Sequence, residues 1–209
     1  MYHRYAACGE RVDLNRRAVT ATRFLGEFFS KPTSTGAVTP SSIFLARAMV
    51  EDLNLPGAGA VLEYGPGTGV FTQQILEQVR PNSKFLAIEL NPRLARIFRE
   101  RHPTVTLVED SVANARTICD RAGIEYVDCV VSGLPWASFS KPSQISFLDE
   151  MMRVLKPGGR FVTFAYVHGV LLAPARRFAA LLPLYFRSVS RSRVIWLNLP
   201  PAFVYRCRK

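Results

Sequence analysis

From residue 60 onward, short continuous apolar runs alternate with longer stretches in which apolar residues recur every three or four positions. The first pattern marks strands and the second amphipathic helices. Strands are predicted at Ala60–Tyr64, Lys84–Glu89, Val105–Val108, Tyr126–Ser132 and Arg160–Tyr166, with helices near Val70–Gln78, Pro92–Arg101, Ser111–Ala122 and Ser143–Leu155. Runs such as Val127-Asp128-Cys129-Val130-Val131 suit parallel strands covered on both faces. Repeated βα units with right-handed crossovers make a doubly wound α/β domain. At the end, Val194–Leu197 and Phe203–Tyr205 are separated only by Asn198-Leu199-Pro200-Pro201-Ala202, too short for a crossover helix, so an antiparallel pair at the sheet edge is expected. Upstream, residues 16–29 form an amphipathic helical pattern that Pro32 and Gly36 end. Thr39-Pro40-Ser41-Ser42 reads as an N-cap with proline at the first helical position, opening a helix that runs to about Leu53. The chain thus divides into an N-terminal segment, 1–40, and an α/β domain, 41–209.

With 209 residues, 48% hydrophobic and 21% charged, a single globular domain is expected. The longest apolar run, Phe178–Phe186, is interrupted by Pro183 and falls well short of the roughly 20 residues of a membrane span. The N-terminus lacks the apolar core of a signal peptide, so Cys8 and Arg16-Arg17 are poor export signals and a cytoplasmic protein is expected. Cys8, Cys119, Cys129 and Cys207 have neither metal-ligand spacing nor the density of a disulfide scaffold, which suits free thiols and no metal. Charge is more telling once it is located. The net charge is +11, yet residues 1–150 balance, and beyond Glu150 eleven Lys and Arg face no carboxylate. Such one-sided basicity suits a polyanion, either nucleic acid or an anionic membrane surface.

The candidate chemistry begins at Val61-Leu62-Glu63-Tyr64-Gly65-Pro66-Gly67-Thr68-Gly69, where a strand passes through a glycine-rich turn into a helix. Glycines there permit a tight turn and close approach to a ligand, and the helix N-terminus offers free N–H groups. The spacing is G-x-G-x-G, which is neither the dinucleotide fingerprint nor a phosphate loop. Glu89 follows Gly69 by twenty residues at the end of the second strand, where an acid can accept both hydroxyls of a ribose. Val108-Glu109-Asp110-Ser111 closes the third strand. Together these residues resemble the class I methyltransferases that use S-adenosyl-L-methionine (SAM) and release S-adenosyl-L-homocysteine. The resemblance covers about residues 60–209, including Leu155-Lys156-Pro157-Gly158-Gly159, and implies a Rossmann-like sheet. It further implies that Glu63, Gly65, Gly67 and Gly69 cradle the methionine part, Glu89 the ribose, and Asp110 with Ser111 the adenine.

Ser132-Gly133-Leu134-Pro135-Trp136 follows the fourth strand, where methyltransferases place the acceptor. Adenine N6-methyltransferases, including the ribosomal RNA dimethyltransferases, carry an Asn- or Asp-led motif there, and Gly133 stands at the position of that carbonyl. Together with Thr35–Ser42, Phe161–Tyr166 and Asn198–Tyr205, the segment resembles the bacterial phospholipid N-methyltransferases. That resemblance implies a lipid amine as substrate, phosphatidylethanolamine or an ornithine lipid, with Ser132, Leu134, Pro135 and Trp136 at the substrate. The lipid ammonium must lose a proton before it attacks, and Tyr166 and His168 are the candidate acceptors. Trp136 and Tyr166 are candidates to hold the methylated cation by cation–π attraction. Residues 16–29, and the basic apolar stretch from Leu171 to Arg187, are candidate membrane faces on an anionic inner leaflet. An RNA adenine-N6 methyltransferase, and a SAM-binding protein without turnover, stay open as alternatives.

Overall fold

A computed structural model describes residues 41–209. Its sheet has seven strands: β1 (Ala60–Tyr64), β2 (Lys84–Glu89), β3 (Thr106–Glu109), β4 (Val127–Ser132), β5 (Leu155–Tyr166), β6 (Ser188–Arg191) and β7 (Ala202–Arg208), in the order β3-β2-β1-β4-β5-β7-β6. The first five are parallel, and β7 runs antiparallel to both β5 and β6. The helices are α1 (Ile43–Val50), α2 (Val70–Leu76), α3 (Pro92–Arg101), α4 (Ala115–Arg121), α5 (Lys141–Val154) and α6 (Ala173–Tyr185). The strand order reverses at β1, which has β2 on one side and β4 on the other. Such a reversal opens a crevice beyond the C-terminal strand ends.

Strand periodicity sorts the core into two layers. Leu62, Tyr64, Leu86, Ile88, Val130 and Phe161 pack toward α4, α5 and α6 through Ile118, Leu148, Met151 and Leu182. Val61, Cys129, Val131, Val162 and Val204 face the other way, against Leu45 and Met49 of α1 and Phe71 and Ile75 of α2. Local chemistry fixes the helix starts. Asn91 accepts from the amides of Arg93 and Leu94 with Pro92 opening α3, and Ser140 caps α5 in the same manner.

Several elements differ from expectation. The cap of α1 is Ser42, whose Oγ accepts from Leu45 N at 3.2 Å; the pattern at residues 16–29 and the Thr39-Pro40 pair lie outside the described residues. The stretch expected as one helix from Ser111 begins as a 3-10 turn, Val112–Asn114, before α4. Lys156–Gly159 lies within β5 as an outward bulge, because pairing jumps from Val127↔Leu155 to Cys129↔Arg160. Val194–Leu197 does not form a strand and keeps one isolated bridge, Ile195↔Ala202. The partner of β7 is Ser188–Arg191. Pro200 and Pro201 have no N–H to continue a ladder, and Asn198 turns inward to 2% exposure, which bends the segment off the sheet.

The basic apolar stretch also divides. Phe178, Leu182 and Phe186 are core, whereas Leu171, Leu172 and Leu184 are exposed. Phe178 stacks on Trp136 at 4.5 Å, and Phe139, Phe147 and Phe161 meet the Trp136 ring edge-on at 6.0 to 6.3 Å. Trp136 is therefore a keystone of the core. Truncation of a residue packed on this many sides leaves a cavity. We expect Trp136→Ala to lower unfolding free energy by about 3–5 kcal/mol in urea titrations; an unchanged midpoint would contradict the packing role.

Candidate functional site

The chain leaves β1 into a turn where Gly65, Gly67 and Gly69 have φ of 62°, 60° and 87°, a region that favours glycine. The turn is also crowded. A Cβ on Gly65 would meet Leu134 Cδ2 at 2.6 Å, and one on Gly69 would meet His102 Nε2 at 2.1 Å. At Gly67 nothing lies within 4 Å. The turn is thus closed by protein at both ends and open at its middle.

Glu89, at the end of β2, is 6% exposed and grips this turn. Its Oε2 accepts from Gly67 N at 3.1 Å and its Oε1 from Asn91 N at 2.9 Å. Burial pushes its pKa up, and the amide hydrogen bonds of Asn91 and Gly67 pull it partly back. Glu63 is fully buried beneath the turn. Thr72 Oγ1 of α2 donates to its Oε2 at 2.7 Å, while Oε1 has no hydrogen-bond partner among the described residues. Desolvation, with a smaller push from Glu89, raises its pKa to about 8.

Beyond β3, Asp110 Oδ1 accepts from Ser111 N at 2.6 Å and Asn114 Nδ2 at 2.8 Å. Asp110 N donates to the Glu89 carbonyl at 3.2 Å, tying the two strand tips together. Ser111 Oγ caps the following turn by accepting from Ala113 N at 3.2 Å. Gly65, Glu89, Asp110, Ser111, Leu134 and Pro135 line one cavity, with Phe139 and Phe147 in its wall. Its lining combines the carboxylates of Glu89 and Asp110 with apolar side chains, the mixed character usual for small-molecule sites.

Not every candidate lines this cavity. Ser132 is fully buried, accepting from Trp136 Nε1 at 3.1 Å and from Leu134 N at 3.3 Å on its Oγ. Ser132 and Trp136 therefore hold the loop, and the enclosed Trp136 ring has no free face for a cation. Tyr166 lies across the sheet in the aromatic chain Phe71, Phe164, Tyr166, with His168 stacked on it at 5.6 Å. Burial pushes the Tyr166 phenol up, which keeps it protonated at neutral pH and makes it a poor proton acceptor. His168 is exposed at the same strand end.

Gly133 has a steric reason. A Cβ there would lie 2.5 Å from the Gly65 carbonyl oxygen, and its own amide donates to Tyr64 O at 2.8 Å. No side chain, carbonyl-bearing or otherwise, fits at that position while the turn keeps this shape. Sequence reading missed Thr72 and His102. Thr72 lies nine positions after Glu63, in the helix beyond the turn, and a lone histidine after a helix carries no signal of its contact with Gly69.

Comparison with known proteins places these features in company. A family profile described as "Methyltransferase domain" matches residues 61–159. The chain is 35% identical over 188 residues to the ornithine lipid N-methyltransferase of Singulisphaera acidiphila, covering 88% of this chain and 94% of that protein. It is 43% identical over 65 residues to ribosomal RNA small subunit methyltransferase A of Chlorobaculum parvum, covering 31% of this chain and 23% of that one. Among solved structures, N-methyltransferase NodS of Bradyrhizobium japonicum superposes with a TM-score of 0.63 at 16% identity, over 79% of this chain and 94% of that chain. It shares the fold.

The buried acid gives a testable pH dependence. The pKa of Glu63 is higher folded, about 8, than its ordinary value of 4.5. Between those values the unfolded chain is ionised and the folded one protonated, so stability falls as pH rises through this window and levels off above it. Without SAM, Glu63→Gln removes this contribution, and its stability relative to wild type should climb by up to about 1.4 kcal/mol per pH unit between pH 5 and 8. Parallel profiles would contradict it.

Proposed function

Since this chain belongs to the class I SAM-dependent methyltransferases, we propose that it methylates the amine of a membrane lipid. One observation carries the reading: similarity along nearly the whole chain to a protein named for ornithine lipid N-methylation. The ribosomal RNA relatives match over shorter stretches. The crowding at Gly133 supports the same choice, because the carbonyl that orients an adenine N6 amine has no room there.

The residues around the glycine turn fit SAM by their chemistry. Gly67 leaves its open side toward a ligand, Glu89 keeps further acceptor capacity on both oxygens, and Glu63 Oε1 is a buried polar atom without a partner among the described residues. On this reading Glu63 and the glycine turn hold the methionine part, Glu89 accepts the ribose hydroxyls, and Asp110 with Ser111 borders the adenine. When bound, SAM supplies a methyl on a sulfonium whose departure as a neutral thioether needs no acid. The protein's task is to hold the acceptor amine, deprotonated, in line with that methyl, and positioning supplies most of the acceleration. Leu134 and Pro135 border the approach to it. Of the expected pair of proton acceptors the Tyr166 phenol stays protonated, which leaves exposed His168, outside the cavity lining and reached only through water. Headgroups with a primary amine on a flexible arm, phosphatidylethanolamine or ornithine lipid, suit this arrangement.

Vesicles holding both lipids, incubated with protein and methyl-labelled SAM and then resolved by chromatography, should show label in an amine-bearing lipid; absence of label from both lipids would overturn the reading. Glu89→Ala should weaken SAM binding roughly ten- to a hundredfold by calorimetry, the cost of losing a charged acceptor, and slow labelling in proportion. Unchanged affinity would count against Glu89 as the ribose acceptor.

A further inference from the structure

Ten large apolar side chains are exposed among the described residues, and they are not scattered. Tyr126 precedes β4 and Leu184 lies near the end of α6, both toward the N-terminal edge of the parallel strands. The other eight gather at the opposite edge, the one that carries the glycine turn. Trp196, Leu197 and Leu199 stand 71%, 67% and 76% exposed on the β6–β7 connection, and Leu171 and Leu172 are 73% and 55% exposed just before α6. Val167 joins these two segments, its amide donating to Pro201 O at 2.9 Å. Ile43 and Phe44 complete the row at the start of α1, where Ser42 N donates to Asn198 Oδ1 at 2.9 Å.

This edge is built to hold those side chains out. Asn198 is buried and braced on both sides of its amide, with Nδ2 donating to Pro200 O at 2.7 Å. Ile195 and Ala202 exchange backbone hydrogen bonds of 2.7 and 3.4 Å, and Ser192 Oγ accepts from Val204 N at 2.9 Å. Exposed Trp and Leu on a braced loop are what an apolar phase rewards and water does not. Charge complements them. Arg191 lies over the rings of Phe203 and Tyr205 at 5.4 and 5.1 Å, exposed Arg193 follows it, and exposed Arg176 opens α6. No carboxylate side chain occurs after Glu150. Aliphatic tips behind a cationic collar match acyl chains beneath anionic headgroups. RNA would reward the arginines and leave the leucines unused.

We infer that the β6–β7 loop, through Trp196, Leu197 and Leu199, inserts into the acyl region of an anionic bilayer with the Leu171-Leu172 segment beside it, so that the edge bearing the glycine turn faces the membrane. The inference rests on the lipid-amine reading and adds to it a docking surface and an orientation. A substrate whose tails stay in the bilayer then presents its headgroup to the strand ends without leaving the membrane.

The chain has two tryptophans, Trp136 in the core and Trp196 on this edge, so fluorescence reports the insertion directly. With the full chain and vesicles of phosphatidylglycerol and phosphatidylethanolamine, emission should shift to shorter wavelength and be quenched by lipids brominated in their acyl chains. Trp196→Phe should lose both effects. The combined Trp196→Ser, Leu197→Ser and Leu199→Ser variant should sediment with vesicles at least about tenfold less while keeping its melting temperature and SAM affinity. Co-sedimentation of the wild type with no change in Trp196 emission would overturn the inference. So would emission that is already blue-shifted without lipid and does not move, since the loop would then be covered by residues 1–40 or a second copy. A shift on adding RNA and none on adding vesicles would also overturn it. Wild type that labels a lipid while Trp196 stays in water sinks the insertion alone, and wild type that inserts Trp196 yet labels no lipid sinks the lipid-amine reading alone.

Discussion

The carboxylate of Glu89 holds the amides of Gly67 and Asn91 at once, and much of the site depends on that grip. It fixes the glycine turn to the end of β2 and sets the start of α3. With the turn held there, the Gly65 carbonyl comes so close to β4 that only glycine fits at position 133. The same contact lays Leu134 and Pro135 along the cavity wall. Burial makes the grip expensive for a charge, and hydrogen bonds to backbone amides offset part of that cost. The Glu89 carboxylate is therefore pre-placed by contacts that also shape the turn.

The loop after β4 is locked from beneath by Ser132, Trp136 and the aromatic cluster around them, which braces this wall of the cavity. Across the sheet, β7 reverses direction and brings the β6–β7 loop to the same edge as the glycine turn. A purely parallel sheet would have ended with a crossover there. The antiparallel hairpin instead sets an apolar loop beside the cofactor edge, and cations but no carboxylates accompany it. The two features, a cavity beside the glycine turn and an apolar, basic margin on the same edge, are what the proposal of a bilayer-bound amine rests on.

Much of this was legible in the sequence where the determining interactions are local. β1, β2 and α3 have the boundaries their apolar runs and caps predict, since Asn91-Pro92 and the glycine turn act within a few residues. Glu63, Glu89 and Asp110 come to one sheet edge because each lies within one residue of the end of one of three adjacent parallel strands. Trp136 was misread because its fate is decided by Phe178, 42 positions away and on another helix. β6 was missed because an edge strand of Ser188-Val189-Ser190-Arg191 has one apolar residue to show, whereas Val194–Leu197 shows four and is bent away by Asn198 and two prolines. The stretch from Leu171 was legible as a candidate face, but the edge it forms with Trp196 and Ile43 was not. Leu171, Trp196 and Ile43 become neighbours only through hydrogen bonds between distant segments.

The most direct test of a lipid amine as substrate sets the two polyanions against each other in one reaction. Methyl-labelled SAM, the protein, vesicles bearing amine lipids and ribosomal RNA are incubated together, and label is counted in the organic and nucleic-acid fractions. Label accumulating in the lipid fraction, undiminished by excess RNA, is the predicted result. Label in the RNA, with none in lipid, would contradict the account.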